Sequence, residues 1–194
     1  EIGSGLVGSE MCIRDRYYAS TSGSLHVIGI NAVLNGGTVQ DICVQAPHFT
    51  LGDATIQGTV DFIMQDTDIY GHDSSVSGVF NCDVLNRGIL NGDATFYGNV
   101  TNTGTICGGT FYGSVTGGSI SDSAKVDVTF ATDGGSAVAT QKVIRGQKAA
   151  SPTAPTKAGY TFDKWYDGTE VYDFNQPVTE PITLTAVSYT HLRA

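Results

Sequence analysis

The sequence contains few positive charges and no run of basic residues. Its 194 residues include 10 lysines and arginines against 19 aspartates and glutamates, so the formal net charge is −9. An acidic chain of this kind repels polyanions, and nucleic acid is therefore not expected as a partner. No stretch approaches the ~18 consecutive apolar residues of a membrane-spanning helix, so none is predicted in this chain.

Motifs that would mark a catalytic or metal-binding site are also missing. The cysteines never occur as Cys-x-x-Cys, the usual zinc or thioredoxin pattern, and no Gly-x-Ser-x-Gly accompanies the isolated His26 and His48. The glycines at 104, 108, 113 and 117 are not followed by Gly-Lys-Ser/Thr, so we interpret them as turn glycines rather than a phosphate loop. The sequence therefore predicts no catalytic residue, no metal ligand and no cofactor, and it identifies no binding residue.

Charge and composition divide the chain near residues 119–123. Residues 17–121 contain eight aspartates, no glutamate and one base, Arg87, whereas residues 124–186 contain six bases and seven acids. The Gly/Ser/Asp-rich stretch between them is typical of a linker or a tight junction. We therefore predict one domain at 17–121 and a second at 124–186.

The first of these domains contains an internal repeat. The segment 80–92 aligns with the segment 96–108 at an offset of 16 residues, and a further unit begins at Phe111. The tetrapeptide Thr-Phe-Tyr-Gly is identical at 95–98 and 110–113, whereas the pattern fades before about residue 50. Repetition at a fixed period is typical of stacked repeat architectures.

Within each unit, apolar and small residues alternate with polar ones. One parity is shared by Val76, Gly78, Phe80, Cys82 and Val84, by Val60, Phe62 and Met64, and by Ala94, Phe96, Gly98 and Val100. Because successive side chains of a strand point to opposite faces, this row should be buried, with Asn, Thr, Ser and Asp in the outer row. We predict an all-β, glycine-rich, β-solenoid-like domain whose phenylalanines 80, 96 and 111 stack in register. An antiparallel meander or sandwich is the alternative.

The second domain carries motifs that do not repeat. It contains Val-x-Val-x-Phe at 126–130, Gly134-Gly135, Pro-x-x-Pro-x-x-x-Gly-Tyr-x-Phe-x-x-Trp-Tyr at 152–166 and Pro-Val-Thr-x-x-Ile-Thr-Leu at 177–184. Alternation predicts strands at 126–130, 138–144, 160–165 and 182–186, and the prolines exclude a helix or a central strand at 152–159.

As a set, the motifs of residues 125–186 resemble the Listeria–Bacteroides repeat, the B-repeat of internalin-type surface proteins. Two departures are Lys164, where the family usually has glycine before the tryptophan, and the missing aromatic residue after the last strand. The resemblance implies a small β-grasp-like module of secreted or wall-attached bacterial proteins, without catalysis. It also implies that Trp165 belongs to the core rather than to a sugar-stacking surface.

The two ends of the chain resemble a different kind of sequence. Residues 1–16 and 187–194 are similar to translated sequencing-adapter read-through, which occurs at the edges of metagenomic assemblies. We expect both segments to be non-native and the chain to be a fragment of a longer protein.

A cluster of aspartates is the main candidate for chemistry. Asp66 and Asp68 would lie on one strand face, and paired carboxylates can hydrolyse glycosidic bonds. The aspartates from Asp61 to Asp73, near His72, could instead bind calcium through their oxygens. A solvated turn is the simpler interpretation of the same residues.

The cysteines outside the terminal segments suggest no reactive site. Cys82 lies on the inner row, where a small hydrophobe is expected, and Cys107 has the opposite parity to Ile106 and is expected to be exposed. Whether Cys82 and Cys107 form a disulfide stays open.

Together these features predict a non-catalytic adhesive or stalk module of a bacterial protein that is secreted or exposed on the cell surface. Its partners would be host or cell-wall glycans or surface proteins. The alternatives are a carbohydrate-active β-helix enzyme that uses Asp66 and Asp68, and a calcium-stabilised adhesin.

Overall fold

The structure is a computed structural model that describes residues 18–21, 24–27, 31–34, 38–46, 48–52, 54–63 and 75–190. The chain divides into two compact units between Ala124 and Lys125. Strands and turns make up nearly all of the described residues, with a single 3-10 turn at Asp122–Ala124. The predicted all-β class is confirmed. No helix of the described residues is long and apolar enough to cross a membrane.

The N-terminal unit is a stack of short windings whose equivalent strands form shared sheets. The first sheet contains, in chain order, β1 (Tyr18–Thr21), β2 (Ser24–Val27), β5 (Asp41–Val44), β8 (Val60–Phe62), β10 (Val84–Asn86), β13 (Val100–Asn102) and β16 (Val115–Thr116). The second contains β3 (Asn31–Leu34), β6 (His48–Leu51), β9 (Ser75–Phe80), β12 (Thr95–Phe96) and β15 (Thr110–Phe111). Two smaller sheets pair β4 (Thr38–Val39) with β7 (Thr55–Ile56), and β11 (Ile89–Leu90) with β14 (Thr105–Ile106) and β17 (Ser119–Ile120).

Among the described strands of this unit, pairing is parallel except for the antiparallel pair of β1 and β2. From β2 onward, consecutive strands of the chain lie in different sheets, and the chain returns to the same sheet one winding later. The solenoid-like prediction is therefore confirmed, and the antiparallel alternative is wrong. The windings also begin earlier than the repeat in the sequence suggests, since β2 pairs with β5 and Leu25 lies opposite Ile42. The early windings keep the buried parity without keeping the same residue types.

The interior of the repeat unit contains a column of stacked phenylalanines. Phe80, Phe96 and Phe111 are fully buried and occupy equivalent positions on three successive strands. The ring centroids of Phe80 and Phe96 are 5.0 Å apart at an interplanar angle of 18°, and those of Phe96 and Phe111 are 4.9 Å apart at 7°. The predicted stacking in register is thus present, and such ring pairs stabilise by about 0.5–1.5 kcal/mol beyond their buried area.

Two asparagines, a residue type expected in the outer row, are buried on the inner row instead, beside Val84 and Val100 in their strands. Asn86 and Asn102 are 0% and 2% exposed, and Asn86 Nδ2 donates to Asn102 Oδ1 over 2.8 Å. Asn102 Nδ2 in turn donates to the carbonyl oxygens of Ser119 (3.1 Å) and Gly117 (3.4 Å). The general assignment of asparagine to the outer row was wrong at these corners, because the amides bind turn carbonyls that would otherwise be buried without a donor.

Glycines at the corners allow successive windings to approach closely. Of the four glycines interpreted as turn residues, only Gly117 has a positive φ, of 77°. At Gly104, Gly108 and Gly113 a Cβ would overlap the backbone of the preceding winding. These three lie at corners as expected, but the reason for glycine there is space between backbones rather than a left-handed conformation.

The C-terminal unit is a single five-stranded mixed sheet. Its strands are β18 (Lys125–Ala131), β19 (Gln141–Ile144), β20 (Tyr160–Asp167), β21 (Glu170–Val171) and β22 (Ile182–Thr190), in the order β19-β18-β22-β20-β21. The first and last strands, β18 and β22, are parallel neighbours, and the other pairs are antiparallel. This is the β-grasp-like arrangement that the resemblance implies. β19 is shorter than the strand predicted at 138–144.

Trp165 lies at the centre of the core of this unit. It is 4% exposed, and its ring lies 4.9 Å from that of Phe130 and 5.5 Å from that of Phe162. Strict alternation would send Phe162 and Trp165 to opposite faces, but the register between β20 and β22 shifts between Phe162 and Lys164. This bulge turns both aromatic side chains toward the same core. The core role of Trp165 is confirmed.

The last strand continues beyond the predicted end of the module at residue 186. β22 extends to Thr190, with Val187 opposite Lys164 and Tyr189 opposite Thr161. Val, Tyr and Thr favour strands, so residues 187–190 can extend the ladder whatever their origin. Residues 1–16 and 191–194 lie outside the described residues, and the non-native origin of the two ends stays a prediction.

Candidate functional site

Most of the candidate carboxylate cluster lies outside the described residues, including Asp66, Asp68, His72 and Asp73. Asp61 is described, on β8, and its carboxylate accepts from Arg87 Nε at 3.1 and 3.2 Å. Within the described part of the chain, no three His, Cys, Asp or Glu side chains come together as a metal site would require. The hydrolase and calcium alternatives therefore stay predictions from the sequence.

The cysteines of the repeat unit are partly buried thiols. No disulfide joins the three described cysteines, Cys43, Cys82 and Cys107, which answers the open question of a Cys82–Cys107 bond. Cys82 and Cys107 are both half-buried, so neither the full burial expected of Cys82 nor the exposure expected of Cys107 is correct. Burial raises the pKa of the Cys43 and Cys82 thiols. Neither thiol is thereby activated, because the thiolate is the nucleophilic form.

The two described histidines, His26 and His48, lie on different strands of the repeat unit. His48 Nδ1 is 2.9 Å from Ser75 Oγ on the neighbouring winding, and His26 on β2 lies opposite Cys43. The contact between His48 and Ser75 joins two residues at equivalent positions of successive windings. It is one rung of an outer ladder in which Thr50 and Ser77 form the next rung.

A cluster of exposed apolar side chains marks one surface of the repeat unit. Tyr97 and Tyr112 are 54% and 41% exposed, and their rings stack with centroids 4.9 Å apart at 11°. Val79, 50% exposed, lies on the same outer side of the sheet, in the column that continues through Thr95 and Thr110. We call the surface formed by these five residues the tyrosine face.

The tyrosine face is held by the interior column directly behind it. Each tyrosine follows a buried phenylalanine, and the amide N–H of Tyr97 donates to the carbonyl of Phe80 while that of Tyr112 donates to the carbonyl of Phe96. The backbone ladder thus continues through both tyrosines, and alternation points their rings outward. The register that stacks the phenylalanines in the interior therefore also stacks the tyrosines on the outer surface.

A polar ladder lies at the corner that follows the tyrosine face. Asp83 Oδ1 accepts from the backbone N–H of Asn99 at 2.9 Å and from its Nδ2 at 3.3 Å. Asn99 Oδ1 accepts from Ser114 Oγ at 2.7 Å and from the Ser114 backbone N–H at 3.3 Å. Each side chain thereby binds the backbone of the next winding, as Asp41 Oδ1 does for the N–H of Thr59 at 2.8 Å.

The exposed tyrosines of the C-terminal unit have a different setting. Tyr160 lies under Lys157 Nζ, 4.5 Å from the ring centroid, and Tyr189 donates from its hydroxyl to Asp163 Oδ2 over 3.4 Å. The carboxylate of Asp163 raises the pKa of Tyr189. These two tyrosines do not stack in a column, which makes them useful controls for the tyrosine face.

No binding residue was predicted from the sequence, so Tyr97 and Tyr112 were missed as candidates. The signal was present, because both tyrosines occur in the identical Thr-Phe-Tyr-Gly segments and have the opposite parity to the buried phenylalanines. What the sequence did not contain is the register between windings that brings the two rings together.

The comparisons with known proteins bear on the C-terminal unit. Residues 127–187 match the family model of the Listeria-Bacteroides repeat domain, which confirms the resemblance noted from the motifs. The match covers about a third of the chain and leaves the N-terminal unit outside it. No curated protein matches the chain.

Proposed function

We propose that this protein is a non-catalytic adhesive module of a bacterial cell-surface protein, and that its repeat unit makes the adhesive contact. The matched repeat family is a family of bacterial surface-protein modules, which supports an extracellular location at the cell surface. The observation that carries the adhesive role is the tyrosine face, where the exposed large apolar side chains of the described repeat unit occur together. Clustered exposed apolar residues mark interaction surfaces more often than scattered ones do.

The stacked architecture supports the same role. In-register windings place equivalent side chains at the strand spacing of about 4.8 Å along each outer face. A ligand that spans several windings therefore meets the same groups repeatedly, and weak contacts can add up to useful affinity. Host glycans, cell-wall glycans and surface proteins are the partner classes that suit such a surface.

The test is a binding assay with the full 194-residue chain. Fluorescently labelled protein is titrated onto fixed epithelial cells and onto purified bacterial cell walls, with an acidic protein of similar size as control. We expect saturable binding that excess unlabelled protein displaces. If the protein binds saturably to neither surface, adhesion is contradicted and the remaining role is that of a spacer.

A further inference from the structure

The tyrosine face has a chemical composition that narrows the class of ligand. It combines two aromatic rings with the hydroxyls of Thr95 and Thr110, and the side chains of Asp83 and Asn99 follow at the adjacent corner. Aromatic rings attract the weakly positive C–H groups of an apolar ligand surface, while hydroxyl, amide and carboxylate groups bind hydroxyls. A sugar ring presents both kinds of surface at once.

The two rings are also held in place before any ligand arrives. Stacking at 4.9 Å uses one face of each ring, and about half of each tyrosine remains exposed. Because the ring positions are restrained by the backbone ladder behind them, little side-chain entropy is lost when a ligand binds. Rigid tyrosines of this kind are common anchors in recognition surfaces.

The charge near the face argues against an anionic ligand. Asp83 lies at the adjacent corner, and the only base between residues 17 and 121 is Arg87, which is paired with Asp61. An acidic surface repels uronic-acid and sulfated chains. Uncharged ligands meet no such barrier, and the side chains of the face can satisfy their hydroxyl groups.

We infer that the tyrosine face binds a neutral, linear oligosaccharide through Tyr97 and Tyr112, with Asp83 and Asn99 binding its hydroxyl groups. This inference rests on the proposed adhesive function and names its ligand class and its site.

The experiment is isothermal titration of the full chain with four hexasaccharides. Cellohexaose and chitohexaose are the neutral probes, hexagalacturonate is the anionic probe and the chitosan hexamer is the cationic probe. We expect binding of at least one neutral probe in preference to both charged ones. Tyr97→Ala should weaken that binding about tenfold, as truncation of an aromatic anchor commonly does, and Tyr97→Ala combined with Tyr112→Ala should abolish it.

Three control variants separate the site from general effects on the protein. Tyr97→Phe keeps the stacked ring and should retain most of the affinity, whereas Asn99→Ala should weaken it less than Tyr97→Ala does. Tyr189→Ala removes an exposed tyrosine of the C-terminal unit and should leave binding unchanged. Thermal melting by circular dichroism verifies that each variant is folded.

The inference is overturned if no hexasaccharide binds, if a charged probe binds best, or if the folded double variant binds like the wild type. The cell-binding assay with the same proteins distinguishes this failure from that of the proposed function. Saturable cell binding without oligosaccharide binding would refute only the ligand class. Absence of saturable cell binding by the wild type would refute adhesion.

Discussion

The two units of this chain build their cores by different means. In the later windings of the repeat unit several buried residues lie beside a residue of their own type, so that phenylalanine stacks on phenylalanine and asparagine binds asparagine. In the C-terminal unit, unlike residues from separate strands and loops meet around Trp165. The first arrangement is a chain of nearest-neighbour contacts, whereas the second is one shared core. A lesion should therefore remain local in the first unit and spread through the second.

Removal of one interior ring is expected to have the largest effect. Phe96→Ala leaves a cavity between Phe80 and Phe111 and should cost about 3–5 kcal/mol of unfolding free energy. Hydrogen exchange should show lost protection in β9, β12 and β15 and retained protection in the windings around β2 and β5. Trp165→Ala is the matched variant, and it should lower protection in all strands of the C-terminal sheet. If Phe96→Ala lost hydrogen-exchange protection equally in all windings of the repeat unit, the nearest-neighbour interpretation would be contradicted.

A methyl group added between windings should be the next most damaging change. In Gly98→Ala the new Cβ would overlap the carbonyl of Cys82, and separation of the two windings should cost about 3 kcal/mol. Gly159→Ala is the control in the C-terminal unit, because its φ is 82° but nothing lies within 4 Å of its Cβ position. That variant suffers only backbone strain, of about 1–2 kcal/mol. Urea unfolding compares the two variants, and equal losses would show that close approach is unimportant.

The buried asparagine ladder should matter more than the exposed one. Asn102→Ala removes the acceptor of Asn86 Nδ2 and the donor to the carbonyls of Gly117 and Ser119, which should cost about 2 kcal/mol. Asn99→Ala breaks a ladder of similar geometry in solvent and should cost less than about 1 kcal/mol. The same urea experiment measures both variants. If Asn99→Ala proved the more costly, the ladder at the outer corner would be the main polar clamp of the windings.

The two units also differ in how much of their structure the sequence revealed. Alternation and a 16-residue offset were enough to predict the stacked phenylalanines, because each winding repeats the same local environment. Alternation also gives Asn86 and Asn102 the buried parity, but their residue type suggested the outer row, because the sequence does not show the carbonyls that the buried amides bind. Sequence parity likewise predicts which tyrosines are exposed but not that they touch, because the register between windings is a tertiary property.

In the C-terminal unit most of the prediction came from the motif resemblance. Residue patterns predicted the strands, but the register shift between Phe162 and Lys164 is invisible to a period-two pattern. Such a bulge is recognised only when the opposite strand is known. The extension of β22 through Thr190 was missed for another reason, since residues 187–194 were set aside for their resemblance to a sequence of non-native origin.

Alkaline pH should have the smallest effect on the unfolding free energy, and it should act through a different side chain in each unit. Burial, with Asp83 as a weaker cause, raises the pKa of Cys82 above its ordinary value of 9.0, and burial with Asp167 and Asp173 raises that of Tyr172 above 10.0. A raised pKa means that the folded state holds the proton more tightly, so this stabilisation is complete below the ordinary value and is lost as the pH rises through the raised one. The unfolding free energy of the wild type should therefore fall above pH 9 in part through Cys82, and above pH 10 in part through Tyr172.

Urea unfolding from pH 8 to pH 11 should show a weaker decline of the unfolding free energy for Cys82→Ala and for Tyr172→Phe than for the wild type. Hydrogen exchange should assign the first difference to the repeat unit and the second to the mixed sheet, and a decline identical to that of the wild type in either variant would exclude that residue as a cause.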